Sequence, residues 1–132
     1  MRTLVATALL SLVPGAVLAA GHSDASTFPN TCSNTSFQYG ADGGAEIHAT
    51  CLRADGSPNQ TSIAMPAIAN NNGRLEMSGD VASFQKSCGN ILLETNIDGV
   101  TLTANCRTEA GTFEKTSINV PGIGNSDGTL SN

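Results

Sequence analysis

The feature that most limits how this chain can fold is an internal repeat. Phe28-x-x-x-Cys32-x-Asn34 returns as Phe84-x-x-x-Cys88-x-Asn90. Thr61-Ser62-Ile63-x-x-Pro66-x-Ile68-x-Asn70-x-x-Gly73-x-Leu75 returns as Thr116-Ser117-Ile118-x-x-Pro121-x-Ile123-x-Asn125-x-x-Gly128-x-Leu130. The offset is 56 residues before the first turn and 55 after it. Over the 33 ungapped pairs from Ala45/Val100 to Met77/Asn132 there are 11 identities, and self-similarity at such a period means two copies of one supersecondary unit. Repeat one spans 28–77 and repeat two 84–132. The link 78–83 is too short for the halves to be independent beads. Any binding site is therefore expected twice, unless one copy has decayed.

The first 20 residues read as a secretory signal peptide: Arg2, an apolar run from Leu4 to Leu12, then small residues ending at Ala19-Ala20. That run is too short to span ~30 Å of hydrocarbon and is followed by Pro14, so membrane insertion is not expected. Residues 21–27 show no apolar pattern and read as a short tail. A mature chain of this size has a narrow margin of core, and it contains no Trp and four Phe. Four cysteines fit the need for a supplement. They allow three pairings. The repeat favours Cys32–Cys51 and Cys88–Cys106, because each copy then closes its own loop, worth about 3 kcal/mol per bridge in the chain-entropy model. A zinc site lacks the CxxC spacing and does not suit an oxidising compartment.

Loss of Arg2 leaves five Lys/Arg against eleven Asp/Glu, a mature net charge of −6. Without a basic run, nucleic acid and anionic membranes are poor partners. Asn34-Thr35-Ser36 and Asn59-Gln60-Thr61 are N-glycosylation sequons, which suits a secreted protein.

The body of each repeat reads as β. Ala45, Ile47, Ala49 and Cys51 alternate with Glu46, His48 and Thr50; Val100, Leu102, Ala104 and Cys106 do the same in the second copy. Period-two alternation marks a half-buried strand. Turn signals precede both, Gly40 to Gly44 and Asp98-Gly99, so strands are expected at Ser36–Tyr39 and Ile91–Thr95. Later strands end in Thr-Ser-Ile. Pro66 and Pro121 then suggest single 3₁₀ turns, and Asn70–Gly73 and Asn125–Gly128 tight turns.

Catalytic groups are few. Of the two histidines, His22 falls in the tail and His48 on an outward strand face. There is no G-x-S-x-G, H-E-x-x-H or phosphate loop, and bridged cysteines leave no thiol nucleophile. The Asp-Gly pairs lack EF-hand spacing, so no metal or other cofactor is implied. What recurs is short polar side chains around the cysteines and the Asn-x-x-Gly turns. Such groups can recognise sugar hydroxyls by hydrogen bonding alone.

This frame resembles the cyanovirin-N family of lectins in its fungal form. Cys88-Gly-Asn90, Leu102-Thr-Ala-Asn-Cys106, Thr116-Ser-Ile-Asn119 and Asn125-Ser-Asp-Gly-Thr-Leu130 carry the likeness, which extends over 27–132 as a single domain. The resemblance implies a mainly β fold of two pseudo-symmetric halves. Each half is a three-stranded sheet plus a β-hairpin with short 3₁₀ turns, and strands are exchanged between repeats. It also implies a secreted, non-enzymatic monomer that binds terminal di- or trisaccharides of mannose-rich glycans in shallow polar clefts. Carried over residue by residue, the resemblance implies two clusters. One uses Thr27, Asn30, Thr31, Arg53, Ala54, Asn125, Ser126 and Asp127. The other uses Asn70, Asn71, Asn72, Ser83, Lys86, Ser87, Arg107, Thr108 and Glu109. The rival expectation is a secreted effector or inhibitor that kept the scaffold and lost sugar binding.

Overall fold

The computed structural model of the chain describes residues 25–132. The signal-peptide segment and His22 lie outside the described residues. In repeat one the strands are β1 (Cys32–Tyr39), β2 (Ala45–Leu52), β3 (Pro58–Ala64), β4 (Ile68–Asn71) and β5 (Arg74–Met77). Repeat two supplies β6 (Cys88–Asn96), β7 (Gly99–Arg107), β8 (Phe113–Asn119), β9 (Gly124–Ser126) and β10 (Thr129–Ser131). β1-β2-β3 and β6-β7-β8 form two antiparallel three-stranded sheets, while β4–β5 and β9–β10 are two-stranded hairpins.

The alternation read from the sequence is the burial pattern of the central strands. Ala45, Ile47, Ala49 and Cys51 are buried along β2, as are Val100, Leu102, Ala104 and Cys106 along β7. Cys32 lies directly across from Cys51 in the ladder, and Cys88 across from Cys106. The disulfides join these pairs, as the repeat suggested. β1 and β6 begin earlier than expected because each contains a bulge that the alternation conceals. Asn34 and Asn90 sit within the two bulges at φ 55° and 49°, a left-handed geometry that Asn tolerates better than most residues.

Neither hairpin packs on the sheet of its own repeat. β4–β5 lies against β8, and β9–β10 against β3. The Leu75 amide donates to Thr116 Oγ1 at 3.2 Å, and the Leu130 amide to Thr61 Oγ1 at 3.1 Å. Each half of the molecule therefore mixes the two repeats. The apolar residues of the hairpins, Ile68, Leu75, Ile123 and Leu130, complete a core with Phe28, Ile47, Phe84 and Leu102. Full burial of such a side chain contributes about 1.5–3 kcal/mol, which sets the scale of the docking energy. Across the halves, β1 contacts β6, and the Phe37 ring lies 5.9 Å from Phe84.

Two expectations need correction. The 3₁₀ turns are at Phe28–Asn30 and Phe84–Lys86, not at Pro66 and Pro121. Pro66 instead accepts a 2.7 Å bond from the Ile68 amide, which closes a tighter three-residue turn, and Pro121 forms an isolated bridge with Ala25. Nor are residues 25–27 a tail. Ser26 is 3 % exposed; its hydroxyl donates to the Val120 carbonyl and accepts from the Ile123 amide. A polar residue buried through hydrogen bonds leaves no apolar signal in the sequence.

Candidate functional site

Hairpin exchange places each Asn-x-x-Gly turn on the loop that follows the second cysteine of the other repeat. In the middle of the chain, Asn70 acts as a clasp. Its Nδ2 donates to Ser87 Oγ and to the Arg107 carbonyl, both at 2.9 Å, and its Oδ1 accepts from the Gly73 amide at 2.8 Å. Two residues on, Asn72 Oδ1 accepts from the Glu109 amide at 2.9 Å. The turn is seated closely: a Cβ on Gly73 would stand 2.7 Å from Thr108 Cγ2, and Gly73 has φ 89°. Only glycine meets both demands, since the left-handed region carries no steric cost for it. Beneath the turn, the Thr108 and Thr112 hydroxyls are 2.7 Å apart.

The second site repeats the clasp at the chain ends. Asn125 Nδ2 donates to Thr31 Oγ1 (2.8 Å) and the Leu52 carbonyl (2.9 Å), and its Oδ1 accepts from the Gly128 amide (2.7 Å). Asp127 Oδ1 accepts from the Ala54 amide at 2.8 Å. The layer beneath differs. Arg53 donates to Asn59 Oδ1 at 2.8 Å, and Asn59 Nδ2 donates to the Gly128 carbonyl at 2.8 Å. Nearby, the Asp55 carboxylate accepts from the Ser57 hydroxyl (2.6 Å) and amide (2.9 Å). Those two bonds, the hydroxyl first, hold its pKa below the usual carboxylate value.

The structure brings together Asn70, Asn72, Ser87, Arg107 and Glu109 at the middle site and Thr31, Arg53, Ala54, Asn125 and Asp127 at the terminal one, and these residues do different work. Asn70 and Asn125 have both amide hydrogens committed, so they set geometry. Asn71, Arg107 and Glu109 are exposed at the middle site; Asn30, Ser126 and Asp127 are exposed at the terminal one. Asn71 Nδ2 donates to Glu76 Oε1 at 3.1 Å, which leaves its carbonyl oxygen to the rim. Thr108 is buried under the turn. Thr27 stands beside β9, where a Cβ on Gly124 would lie 3.4 Å from its Oγ1. Ser83 binds the Ile68 carbonyl through its amide. Lys86 donates its amide to the Ser83 carbonyl at 3.1 Å, and it lines a separate groove with Asp80 and Gln85. Thr61, Thr116 and Asn59, which seat the hairpins, were missed as parts of the site. The identity of Thr61 and Thr116 in both copies was the available signal. Among the described residues no group of three His, Cys, Asp or Glu is arranged to hold a metal ion.

A family model described as CVNH domain matches residues 28–131, nearly all of the described chain. The chain belongs to the CVNH family. Its fold is similar to that of a CVNH protein from T. borchii, at 27 % identity and TM-score 0.62, covering 80 % of this chain and 97 % of that one. It is also similar to microvirin, solved as a mannobiose complex, at 30 % identity and TM-score 0.58, covering 80 % and 96 %. A MoCVNH3 variant solved with (N-GlcNAc)4 shares the fold at 19 % identity and TM-score 0.61, covering 82 % and 97 %. The fold expected from the repeat and the resemblance is therefore the fold found, and carbohydrate binding is the activity associated with this lectin family.

Proposed function

We propose that this CVNH protein is a secreted, monomeric lectin that binds terminal di- or trisaccharides of mannose-rich glycans, without catalysis, at both clasped turns. The observation that carries the reading is the preorganised rim. At each site a turn from one repeat is locked onto a loop of the other, so that exposed polar groups stand side by side at fixed spacing. Hydrogen bonds to a sugar contribute about 0.5–1.5 kcal/mol each net, so a small ligand gains affinity only if little ordering remains to be done on binding. The solved complex of microvirin with mannobiose supports the saccharide class. The monomer reading is supported by the link between repeats. Ser78 and Ser83 donate to Ala67 and Ile68 of the preceding hairpin, and Gln85 Nε2 donates to the Gly43 and Ala82 carbonyls.

Arg107 and Asn71 contact sugar at the middle site in this reading. A glycan array followed by titration of the mature chain tests it: mannose-terminated oligosaccharides bind, and the Arg107→Ala, Asn71→Ala double variant loses the middle-site component. Silence across the array, or unchanged binding in the double variant, overturns the function or the site assignment respectively.

A further inference from the structure

The two sequons face different surroundings in the fold. Asn34 is exposed on the β1 bulge, and its side chain has no hydrogen-bond partner among the described residues. Asn59 is half-buried, with its oxygen held by Arg53 and its nitrogen donated to Gly128. Beside Asn34 the outward face of the first sheet forms a shallow groove of about 480 Å3, lined among others by Ser36, Gln38, His48, Thr50 and Gln60. No Lys, Arg, Asp or Glu lines it, and the nearest carboxylate, Glu46, is turned onto His48 Nε2 at 2.9 Å. Neutral amides and hydroxyls of this kind match the hydroxyls of a sugar better than they match an ion or an apolar body. The corresponding bulge of repeat two, Asn90-Ile91-Leu92, has no sequon, and Leu92, Glu94 and Lys115 enter its sheet face.

We infer that Asn34 is the N-glycosylated residue of the folded protein, that Asn59 is not, and that the first sugars of the Asn34 glycan lie along the neutral groove. The inference rests on the secreted reading above. In the transfer, Asn34 Nδ2 forms a bond to C1 of the sugar. The C1–oxygen bond of a lipid-linked diphospho-oligosaccharide breaks, the diphosphate leaves with the electron pair, and Nδ2 gives up one proton. The same transfer at Asn59 would put a glycan between β3 and the Gly128 turn. A glycan there competes with the Gly128 turn for space and leaves Asn59 a single Nδ2 hydrogen for the Gly128 carbonyl, so the chain unmodified at Asn59 seats β9–β10 best and dominates the folded, exported population. A glycan at Asn34 obstructs neither clasp, because it leaves from the sheet face and not from the turns.

The test is production of the full chain in a eukaryotic secretory host, once with its own first 20 residues and once with the host's leader in their place. Glycopeptides of the folded, exported protein are then mapped before and after peptide N-glycosidase treatment. The expected result is a glycan on Asn34 alone. Ser36→Ala should abolish the mass shift, Ser36→Thr should raise occupancy, and enzymatic removal of the glycan should leave saccharide binding unchanged. Folded exported protein that is unmodified at Asn34, or that carries a glycan on Asn59, overturns the inference. Export and Asn34 modification only with the host's leader would sink the secretion reading while supporting the choice of acceptor. Failure to bind saccharide with Asn34 occupied would sink the lectin reading and not this one.

Discussion

Asn70→Ala isolates the clasp from the rest of the fold. The substitution removes two donated bonds, to Ser87 Oγ and the Arg107 carbonyl, and one accepted from the Gly73 amide. The first two acceptors lie near solvent and regain water, so each costs at the low end of 0.5–1.5 kcal/mol. Gly73 is buried, and an unsatisfied buried N–H costs about 1–3 kcal/mol. The sum is about 3 kcal/mol, against a total of roughly 5–15 kcal/mol for a domain. With a urea slope near 2 kcal/mol/M, the unfolding midpoint should fall by roughly 1.5 M. Amide spectra of the variant should show Arg107–Glu109 displaced and the terminal site, Asn125–Asp127, unmoved. Saccharide binding at the middle site should disappear while terminal-site binding remains. A midpoint shift under roughly 0.5 M, with middle-site binding intact, would refute the claim that this side chain holds the hairpin in place.

The other predictions concern fit and charge. Gly128→Ala places a Cβ 2.7 Å from Arg53 Cγ at a residue with φ 89°. It should cost at least the ~1–2 kcal/mol of a left-handed non-glycine residue; a melting temperature equal to that of the parent chain would contradict the seating described. Asp55 has a depressed folded-state pKa, so the stabilisation it contributes is complete above its unfolded-state value and is lost as pH falls through the folded one, a window below about pH 4. Ser57→Ala should return its titration towards the ordinary carboxylate range, as followed by NMR, and an unshifted curve would remove the hydroxyl as the cause.

Much of the fold was legible because it rests on patterns that burial imposes locally. Alternation located β2 and β7, and the paired cysteines closed on their own repeats. The turn residues from Asn70 to Gly73 and from Asn125 to Gly128 located both hairpins. Which sheet each hairpin packs on was not legible from residues alone. Thr61 and Thr116 are the same residue in the same context, so the sequence permits each to accept from its own hairpin or from the other; only the family resemblance implied exchange. The chain crosses to the second sheet between Ala64 and Ile68, and the short link 78–83, bonded back to Ala67 and Ile68, then keeps it there for β6. Pro66 and Pro121 were misread because proline fixes φ without choosing between a 3₁₀ turn and a tighter one. Ser26 escaped because a buried hydroxyl satisfied by two backbone groups looks like any serine of a polar tail. At the candidate site, the resemblance pointed to clusters around the Asn-x-x-Gly turns, and the structure joins those turns to the loops after Cys51 and Cys106. The resemblance did not separate Asn70 and Asn125, spent on the scaffold, from Asn71 and Arg107, left at the rim. That division depends on which amide hydrogens are already engaged, a property of three dimensions.

The most direct test is a titration of the 15N-labelled mature chain with a mannose disaccharide, followed residue by residue. Saturable shifts should appear in two clusters, Asn71–Asn72 with Arg107–Glu109 and Arg53–Ala54 with Asn125–Asp127. In each cluster, residues from the two repeats should move together with one affinity. Shifts confined to a single repeat, shifts centred on the outer sheet faces, or no shifts at all would contradict the claim that the exchanged hairpins build the binding sites.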